Sequence, residues 1–242
     1  MSVALDTSAS ITQRVAALDW PGITGELNSY GVARTGPLLS TREAGALRSV
    51  NDEPRFRSRI DMARHGFGRG EYQYFAHPLP DVVAALRSSV YGHLAPLAND
   101  WATRLGDATH YPDTHAEYLA RCHAAGQSRP TPLLLRYRAG DFNCLHQDLY
   151  GELLFPFQLV VLLSAPGAEF DGGEFTLVEQ RPRMQSRAEV VPLAQGEGAI
   201  FAVRHRPVAG TRGTYRVTLR HGVSRVRRGE RFTLGVIFHD AR

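Results

Sequence analysis

A histidine and an aspartate stand two residues apart at His146 and Asp148, within the stretch RAGDFNCLHQDLYGE. Side chains at positions i and i+2 point the same way on a strand but diverge on a helix. The neighbouring β-prone residues favour an extended conformation, so both side chains should share one face with Cys144. Such triplets arise by chance. The pair is therefore a metal-binding candidate that needs a third ligand.

His221 is the candidate for that third ligand. In TYRVTLRHGV, the alternation of apolar and polar residues places Val217, Leu219 and His221 on the inward face of a strand. Two imidazoles and one carboxylate match the facial triad of non-haem Fe(II) oxygenases, which leaves metal positions open for chemistry. A structural zinc site would close all four positions. The other His-x-acid triplet, His115 to Glu117, lies in a helix-like stretch, where its side chains would diverge.

A possible acid-binding group follows ten residues after His221. Arg231 and Thr233 stand at i and i+2 at the start of the last β-prone run, and Gly235, next on that face, leaves space. A planar guanidinium gives two parallel charge-assisted hydrogen bonds to a carboxylate. Tyr137 could add a phenol hydrogen bond in the same pocket. This group predicts a co-substrate that carries a carboxylate.

The elements that must position these residues differ between the two halves of the chain. The first half is typical of mixed, mostly helical structure, with short strands predicted in SYGVARTG, SRIDMA and GEYQYFAH. In LSTREAGALRSV, Ser40 or Thr41 precedes Glu43 as in a capping box. Helices are predicted in DTSASITQRVAAL, LSTREAGALRSV, PDVVAALRSSVYGHLAPLANDWATRL and DTHAEYLARCHAAG.

From Pro130 onward, eight short β-prone runs are separated by Gly, Pro and Asp, a spacing typical of an antiparallel sandwich or barrel. The segments EQRPRMQSRAE and RHRPVAGTRGT are predicted to be loops. The runs are TPLLLRYR, NCLHQDLY, FQLVVLLS, GEFTLVEQ, AEVVPL, GAIFAV, TYRVTLRHGV and RFTLGVIF.

Composition limits the class of protein. The 242 residues are 43% hydrophobic and 21% charged, which predicts one large folded domain. No apolar run of about 18 residues and no secretory signal are present, so we expect a cytoplasmic protein with no membrane partner. All 28 basic side chains are arginines, which excludes lysine chemistry. The net charge of +4 permits an acidic or nucleic-acid partner without requiring one.

The motifs RYRAGDFNCLHQDLY, FDGGEFTL, GEGAIFAV and HGVSRVRRGERFTLGVIF resemble the double-stranded β-helix of Fe(II)/2-oxoglutarate dioxygenases, in the prolyl-hydroxylase-like branch. More narrowly, the chain is similar to a bacterial family described as oxygenases acting on methylated or damaged DNA. The resemblance implies an α+β, mainly β fold of the jelly-roll, cupin-like type. It implies one dioxygenase domain over residues 1–242, with residues 1–129 as helix-rich support and residues 130–242 as the β-helix core.

The resemblance also implies the site. The family pattern departs at Arg225, where relatives often carry a proline that shapes a turn. Fe(II), 2-oxoglutarate and O2 are the implied cofactors, with ascorbate as an optional reductant, and the products include succinate and CO2. The implied metal ligands are His146, Asp148 and His221, the implied 2-oxoglutarate-binding residues are Arg231, Thr233 and Tyr137, and the implied catalytic residues are the three ligands and Arg231.

These residues are compatible with more than one function. The main hypothesis is hydroxylation of an amino-acid, peptidyl or small-metabolite C–H bond. The second is oxidative demethylation of alkylated nucleic acid, although Ile237 stands where alkylated-DNA dioxygenases usually carry a second arginine. A cupin-like metal-binding sensor or a metal-assisted hydrolase would also use such a triad, but neither explains Arg231 and Thr233. Residue patterns predict neither the substrate nor the oligomeric state.

Overall fold

The computed structural model describes residues 8–149, 151–211 and 213–242. Parts of three predicted segments, namely residues 6 and 7, residue 150 and residue 212, lie outside the described residues. Short 3-10 turns follow the third helix and the second strand. The α-helices are α1 (Ile11–Ala16), α2 (Trp20–Tyr30), α3 (Thr41–Ser49), α4 (Asp81–Arg104) and α5 (His115–Ala124).

Most strands lie in the second half of the chain, as the sequence predicts. The strands are β1 (Val32–Pro37), β2 (Phe56–Asp61), β3 (Gly68–Arg69), β4 (Glu71–Phe75), β5 (Leu133–Arg138), β6 (Phe142–His146), β7 (Phe157–Leu162), β8 (Phe170–Gly172), β9 (Phe175–Gln180), β10 (Arg187–Val191), β11 (Glu197–Ala202), β12 (His205–Gly210), β13 (Gly213–Val223) and β14 (Val226–Ile237).

The strands form two antiparallel sheets that share one core. The large sheet has the order β1-β11-β7-β14-β5-β4-β2, with β8 pairing with β14. The small sheet has the order β10-β9-β13-β6-β3, with β12 pairing with β13. Buried side chains from both sheets, such as Phe175 of β9 and Phe201 of β11, pack in the same cluster. The mainly β, jelly-roll fold class is confirmed.

Strand β7 lies in the core, and helix α4 packs against the strand that carries part of the site. Every residue of β7 is buried, as expected for a strand covered on both faces. Helix α4 contacts α1, α5, β12 and β14. Its buried Arg87 bonds Asp240 at 2.7 Å and the carbonyl of Ile237 at 2.7 Å. The helix is thereby fixed to the end of β14, which carries part of the site.

The short strands β3 and β8 were not predicted, and two larger elements also differ from the sequence predictions. The segment RHRPVAGTRGT was predicted as a loop, but His205 to Gly210 form β12, paired with the first half of β13. Its Pro207 is compatible with a strand at a sheet edge. Helix α2 was not predicted, although Asp19 caps it and Gly31 ends it in the left-handed region at φ 79°. The boundary between residues 1–129 and 130–242 stays a prediction.

Within the described part of the chain, no helix combines the length and apolarity needed to cross a membrane.

The capping box of α3 gives a pH-dependent contribution to stability. Arg14 donates two hydrogen bonds to Glu43, at 2.7 and 2.8 Å, and Ser40 adds backbone and hydroxyl bonds. Chiefly because of Arg14, the pKa of Glu43 falls to about 2. We expect Glu43→Gln to lower the melting temperature at neutral pH. Since the folded pKa is depressed, this difference should be complete above about pH 5 and vanish as the pH falls toward 2.

Thermal unfolding followed by circular dichroism across this pH range tests the prediction. Glu26→Gln is the matched control, because Glu26 is exposed and forms no ion pair within the described residues. A Glu43→Gln deficit that stays constant down to pH 2 would contradict the assignment.

Candidate metal centre

Strand pairing brings the two candidate histidines together. His221 on β13 lies directly opposite His146 on β6 in the small sheet. Asp148 follows the end of β6 by two residues and turns toward both rings. His146 Nε2 lies 3.4 Å from Asp148 Oδ1, and His221 Nε2 lies 3.3 Å from Asp148 Oδ2. The three side chains therefore converge on one point.

Different contacts hold the two imidazole rings in place. The Nδ1 atom of His146 lies 2.7 Å from the carbonyl oxygen of Cys144. Since a carbonyl only accepts, Nδ1 carries a proton, and Nε2, which faces Asp148, is the ring atom placed to bind a metal. His221 packs between Phe201 and Phe175, with ring centroids at 4.6 and 6.1 Å. Its Nδ1 has no partner within the described residues, so packing fixes this ring.

The electrostatics favour the ligand forms of His221 and Asp148. For His146, burial lowers the pKa, but the hydrogen bond and the charge of Asp148 outweigh burial and raise it. Burial lowers the pKa of His221, which keeps its imidazole neutral. Burial alone would raise the pKa of Asp148, but hydrogen bonds from His146 and His221 hold it well below the usual range. A neutral imidazole and an ionised carboxylate are the forms that bind metals.

The spacing also fits a metal. Ligand atoms about 2.1 Å from a common ion lie about 3 Å apart when they occupy adjacent octahedral positions. The two His to Asp separations approach this value, and all three ligand atoms lie within 4.8 Å of one another. Among the described residues, this is the only His/Cys/Asp/Glu group with such geometry. The other triplet is on α5, where buried His115 contacts the Phe238 carbonyl.

The triad opens into a cavity of about 360 Å³ between the two sheets. Arg231 and Thr233 line this cavity from β14, as the i and i+2 spacing predicts, and Arg231 Nη1 donates to Thr233 Oγ1 at 3.4 Å. The same cavity therefore contains three potential metal ligands and a guanidinium. We call it the metal cavity.

Arg231 is buried, with 2% exposure, yet no described carboxylate forms a salt bridge with it. Its Nε lacks a partner among those residues, and its guanidinium lies 5.6 Å from the centroid of the Tyr137 ring. Burial lowers its pKa to about 10, so it stays charged at neutral pH. An isolated buried cation is costly unless an anion binds beside it. The site thus fits an anionic ligand.

The Oxygenase-NA family model, described as "Oxygenase, catalysing oxidative methylation of damaged DNA", matches residues 70–241. The chain belongs to this oxygenase family. Two Mycobacterium tuberculosis proteins, Uncharacterized protein MT2286 and Uncharacterized protein Rv2227, are each 50% identical to it over 167 residues. The match covers 69% of this chain and 72% of each relative.

Solved structures share the fold of this Oxygenase-NA chain at low sequence identity. A Trichoplax adhaerens prolyl hydroxylase, solved with a hypoxia inducible factor peptide fragment, gives a TM-score of 0.55 at 13% identity and covers 96% of this chain and 92% of its own. A Pseudomonas putida prolyl-4-hydroxylase gives 0.51 at 15% identity, with coverages of 92% and 99%. The fold is therefore that of prolyl hydroxylases, and the family match makes the protein an oxygenase, which is an oxidoreductase.

The structure adds polar residues that sequence reasoning missed. Tyr72 of β4 and Gln158 of β7 line the metal cavity, and the buried Gln158 Nε2 has no partner in the described chain. Burial and the charge of Asp148 raise the pKa of Tyr72, so its hydroxyl stays a donor. Tyr137 is buried behind Arg231, and its hydroxyl accepts from Asn143 at 3.3 Å. Its contact with 2-oxoglutarate stays a prediction.

Three exposed apolar side chains surround the mouth of the metal cavity. Phe67, Leu145 and Leu149 are 48, 47 and 41% exposed and line the cavity. We call these three residues the rim. Cys144 also lines the cavity and is exposed.

The close approach of β13 to β6 at Gly222 sets the spacing of the triad. A Cβ atom at Gly222 would lie 2.8 Å from the backbone carbonyl oxygen of Asn143. We expect Gly222→Ala to separate β13 from β6, displace His221 and weaken metal binding about tenfold or more. Equilibrium Fe(II) titration measures the effect. Gly45→Ala is the control, since its Cβ would meet open space, and equal affinity in both variants would contradict the prediction.

Proposed function

We propose that this oxygenase binds Fe(II) through His146, Asp148 and His221 and binds 2-oxoglutarate through Arg231. The observation that carries the proposal is a buried guanidinium that shares a cavity with the triad and forms no salt bridge with any described carboxylate. A triad alone would suit many metal enzymes. A triad with an acid-binding group suits an oxygenase whose co-substrate is a keto-diacid.

The protein residues bind and orient the reactants. Arg231 donates two hydrogen bonds to the distal carboxylate, and Thr233 adds a hydroxyl beside it. The ring of Tyr137 packs against the guanidinium and holds its plane. When bound, Fe(II) supplies the O2 activation that couples decarboxylation of 2-oxoglutarate, to succinate and CO2, with insertion of oxygen into a substrate C–H bond.

For the substrate, we propose a methylated nucleic-acid base. The sequence alone favours a small molecule or peptide, but the family description concerns damaged DNA. A specific observation adds support: the exposed ring of Phe67 stacks on His65, with centroids 5.4 Å apart, at the mouth of the metal cavity. Aromatic surfaces of this kind stack unpaired bases. Hydroxylation of an N-methyl C–H bond gives an N-hydroxymethyl group, which releases formaldehyde and restores N–H.

The protein loaded anaerobically with Fe(II) and 2-oxoglutarate should develop a weak visible charge-transfer band. In air it should then release succinate. Added N-methylated single-stranded DNA should increase succinate release. It should yield formaldehyde in an amount equal to that increase. Absence of both the band and succinate would overturn the oxygenase assignment. Succinate without formaldehyde would overturn only the nucleic-acid substrate and return the small-molecule or peptidyl hydroxylase to first place.

A further inference from the structure

A second cavity of about 330 Å³ lies beside the metal cavity. It is enclosed by the end of α4, the segment before α5, residues 152–156, the start of β12 with the two residues before it, and Arg216 of β13. We call it the arginine cavity. The basic side chains that line it are Arg121, Arg204, Arg216, His110 and His205.

Two guanidinium groups in this cavity have free donors. Arg204 and Arg216 are exposed and form no side-chain hydrogen bond or ion pair with the described residues. The nearby acidic groups form no salt bridge with these arginines: Asp107 accepts two bonds from Thr109, at 2.9 and 2.7 Å, and Glu152 pairs with Arg242 at 2.8 Å. The charge of Arg216 also lowers the pKa of Asp107. The arginines can therefore serve an external anion.

The local potential is positive. Burial, together with the charges of Arg204 and Arg216, lowers the pKa of His205 to about 4. The hydrogen bond between His205 and the backbone of Val217 acts in the opposite direction and does not cancel the effect. His205 is thus neutral at physiological pH, and the two arginines supply the charge.

The arginine cavity adjoins the metal cavity. Leu149 lines both, and Gln147, which lines the metal cavity, donates to the backbone carbonyls of Arg204 and Leu219, at 3.5 and 2.7 Å. Only the short segment after β6 separates the two spaces. A single extended ligand can therefore reach both.

We propose that the arginine cavity binds a backbone phosphate of a nucleic-acid strand whose reactive base occupies the metal cavity. This inference rests on the proposed function and assigns Arg204 and Arg216 as the phosphate-binding residues. Guanidinium groups match phosphate oxygens in geometry and charge. Aromatic side chains in the same lining, such as Tyr111 and Phe155, suit the apolar parts of a nucleotide. An acidic peptide is the competing occupant.

Fluorescence anisotropy with a labelled single-stranded oligonucleotide tests the proposal on the full chain without iron. Arg204→Gln and Arg216→Gln should each weaken binding about tenfold, and the double variant should flatten the salt dependence by about 0.7 in log–log slope, the value for one lost phosphate contact. Arg225→Gln is the matched control. It removes the same charge from an exposed arginine that lines neither cavity and should change affinity less than twofold.

Three results would overturn the proposal: no oligonucleotide binding by the unsubstituted protein, equal binding by the double variant, or an equal loss in Arg225→Gln. Equally tight binding of an oligoglutamate peptide of the same charge would overturn the choice of nucleic acid. The proposed function fails separately, through absence of succinate formation, which this binding assay does not measure.

Discussion

Replacing His221 by alanine is expected to abolish Fe(II) retention and succinate formation together. The substitution leaves two of three ligands, and no other described His, Cys, Asp or Glu side chain is placed to complete the group. Loss of groups that merely orient metal ligands already costs about 10- to 100-fold in affinity or activity. We therefore expect a loss of more than about 100-fold. Metal analysis after anaerobic reconstitution, with succinate quantification, measures both effects.

His93→Ala is the control for removal of an imidazole. His93 is exposed and stacks on Trp20 at 4.3 Å, on the helical part of the chain. This variant should retain iron and activity. Added imidazole should partly restore iron binding to His221→Ala, because the truncated side chain leaves space beside Asp148. A His221→Ala protein that holds one iron per chain and forms succinate would refute the ligand assignment.

Arg231→Met is expected to raise the KM for 2-oxoglutarate about 100-fold while iron binding is unchanged. Two charge-assisted hydrogen bonds of about 1.5 kcal/mol each account for a factor of this size. Arg231→Lys should give an intermediate value, because an ammonium keeps the charge without the bidentate geometry. Steady-state kinetics at varied 2-oxoglutarate concentration, with parallel iron analysis, distinguishes this effect from general damage.

The same substitution should stabilise the ligand-free protein. Arg231 is a buried cation that forms no salt bridge with the described carboxylates, so methionine removes an uncompensated charge and fills similar space. We expect a higher melting temperature for Arg231→Met. Arg206→Met is the contrast, because Arg206 is equally buried but bonds Glu179, and it should lower the melting temperature. A decrease in both variants would show that Arg231 is structural.

The sequence predicted which face of its strand each candidate residue occupies. It did not predict which residues of other strands lie beside it. Alternation along β13 and β14 correctly placed His221 with Leu219, and Arg231 with Thr233, on inward faces. The register that sets His221 opposite His146 depends on pairing between distant strands, which no local pattern encodes. The structure brings the three side chains together, whereas their role as iron ligands stays a proposal.

The cavity residues that the sequence did not predict were missed for the same reason. Gln158 lies in the apolar run FQLVVLLS, which resembles a buried strand in which one polar residue carries no signal. Tyr72 enters the metal cavity only because β4 of the first half pairs with β5 of the second. The arginine cavity likewise forms where helices meet strand ends. Such contacts depend on tertiary packing between segments far apart in sequence, so local periodicity does not reveal them.

The position of β14 has a consequence for synthesis of the protein. This strand lies at the centre of the large sheet, between β7 and β5, yet it follows every other described strand along the chain. While the nascent polypeptide lacks it, β7 and β5 expose two unpaired edges, and the apolar β7 edge is a template for aggregation. Productive folding must therefore wait until nearly the whole jelly roll has left the ribosome, which makes overproduction at lower temperature and with chaperones advantageous.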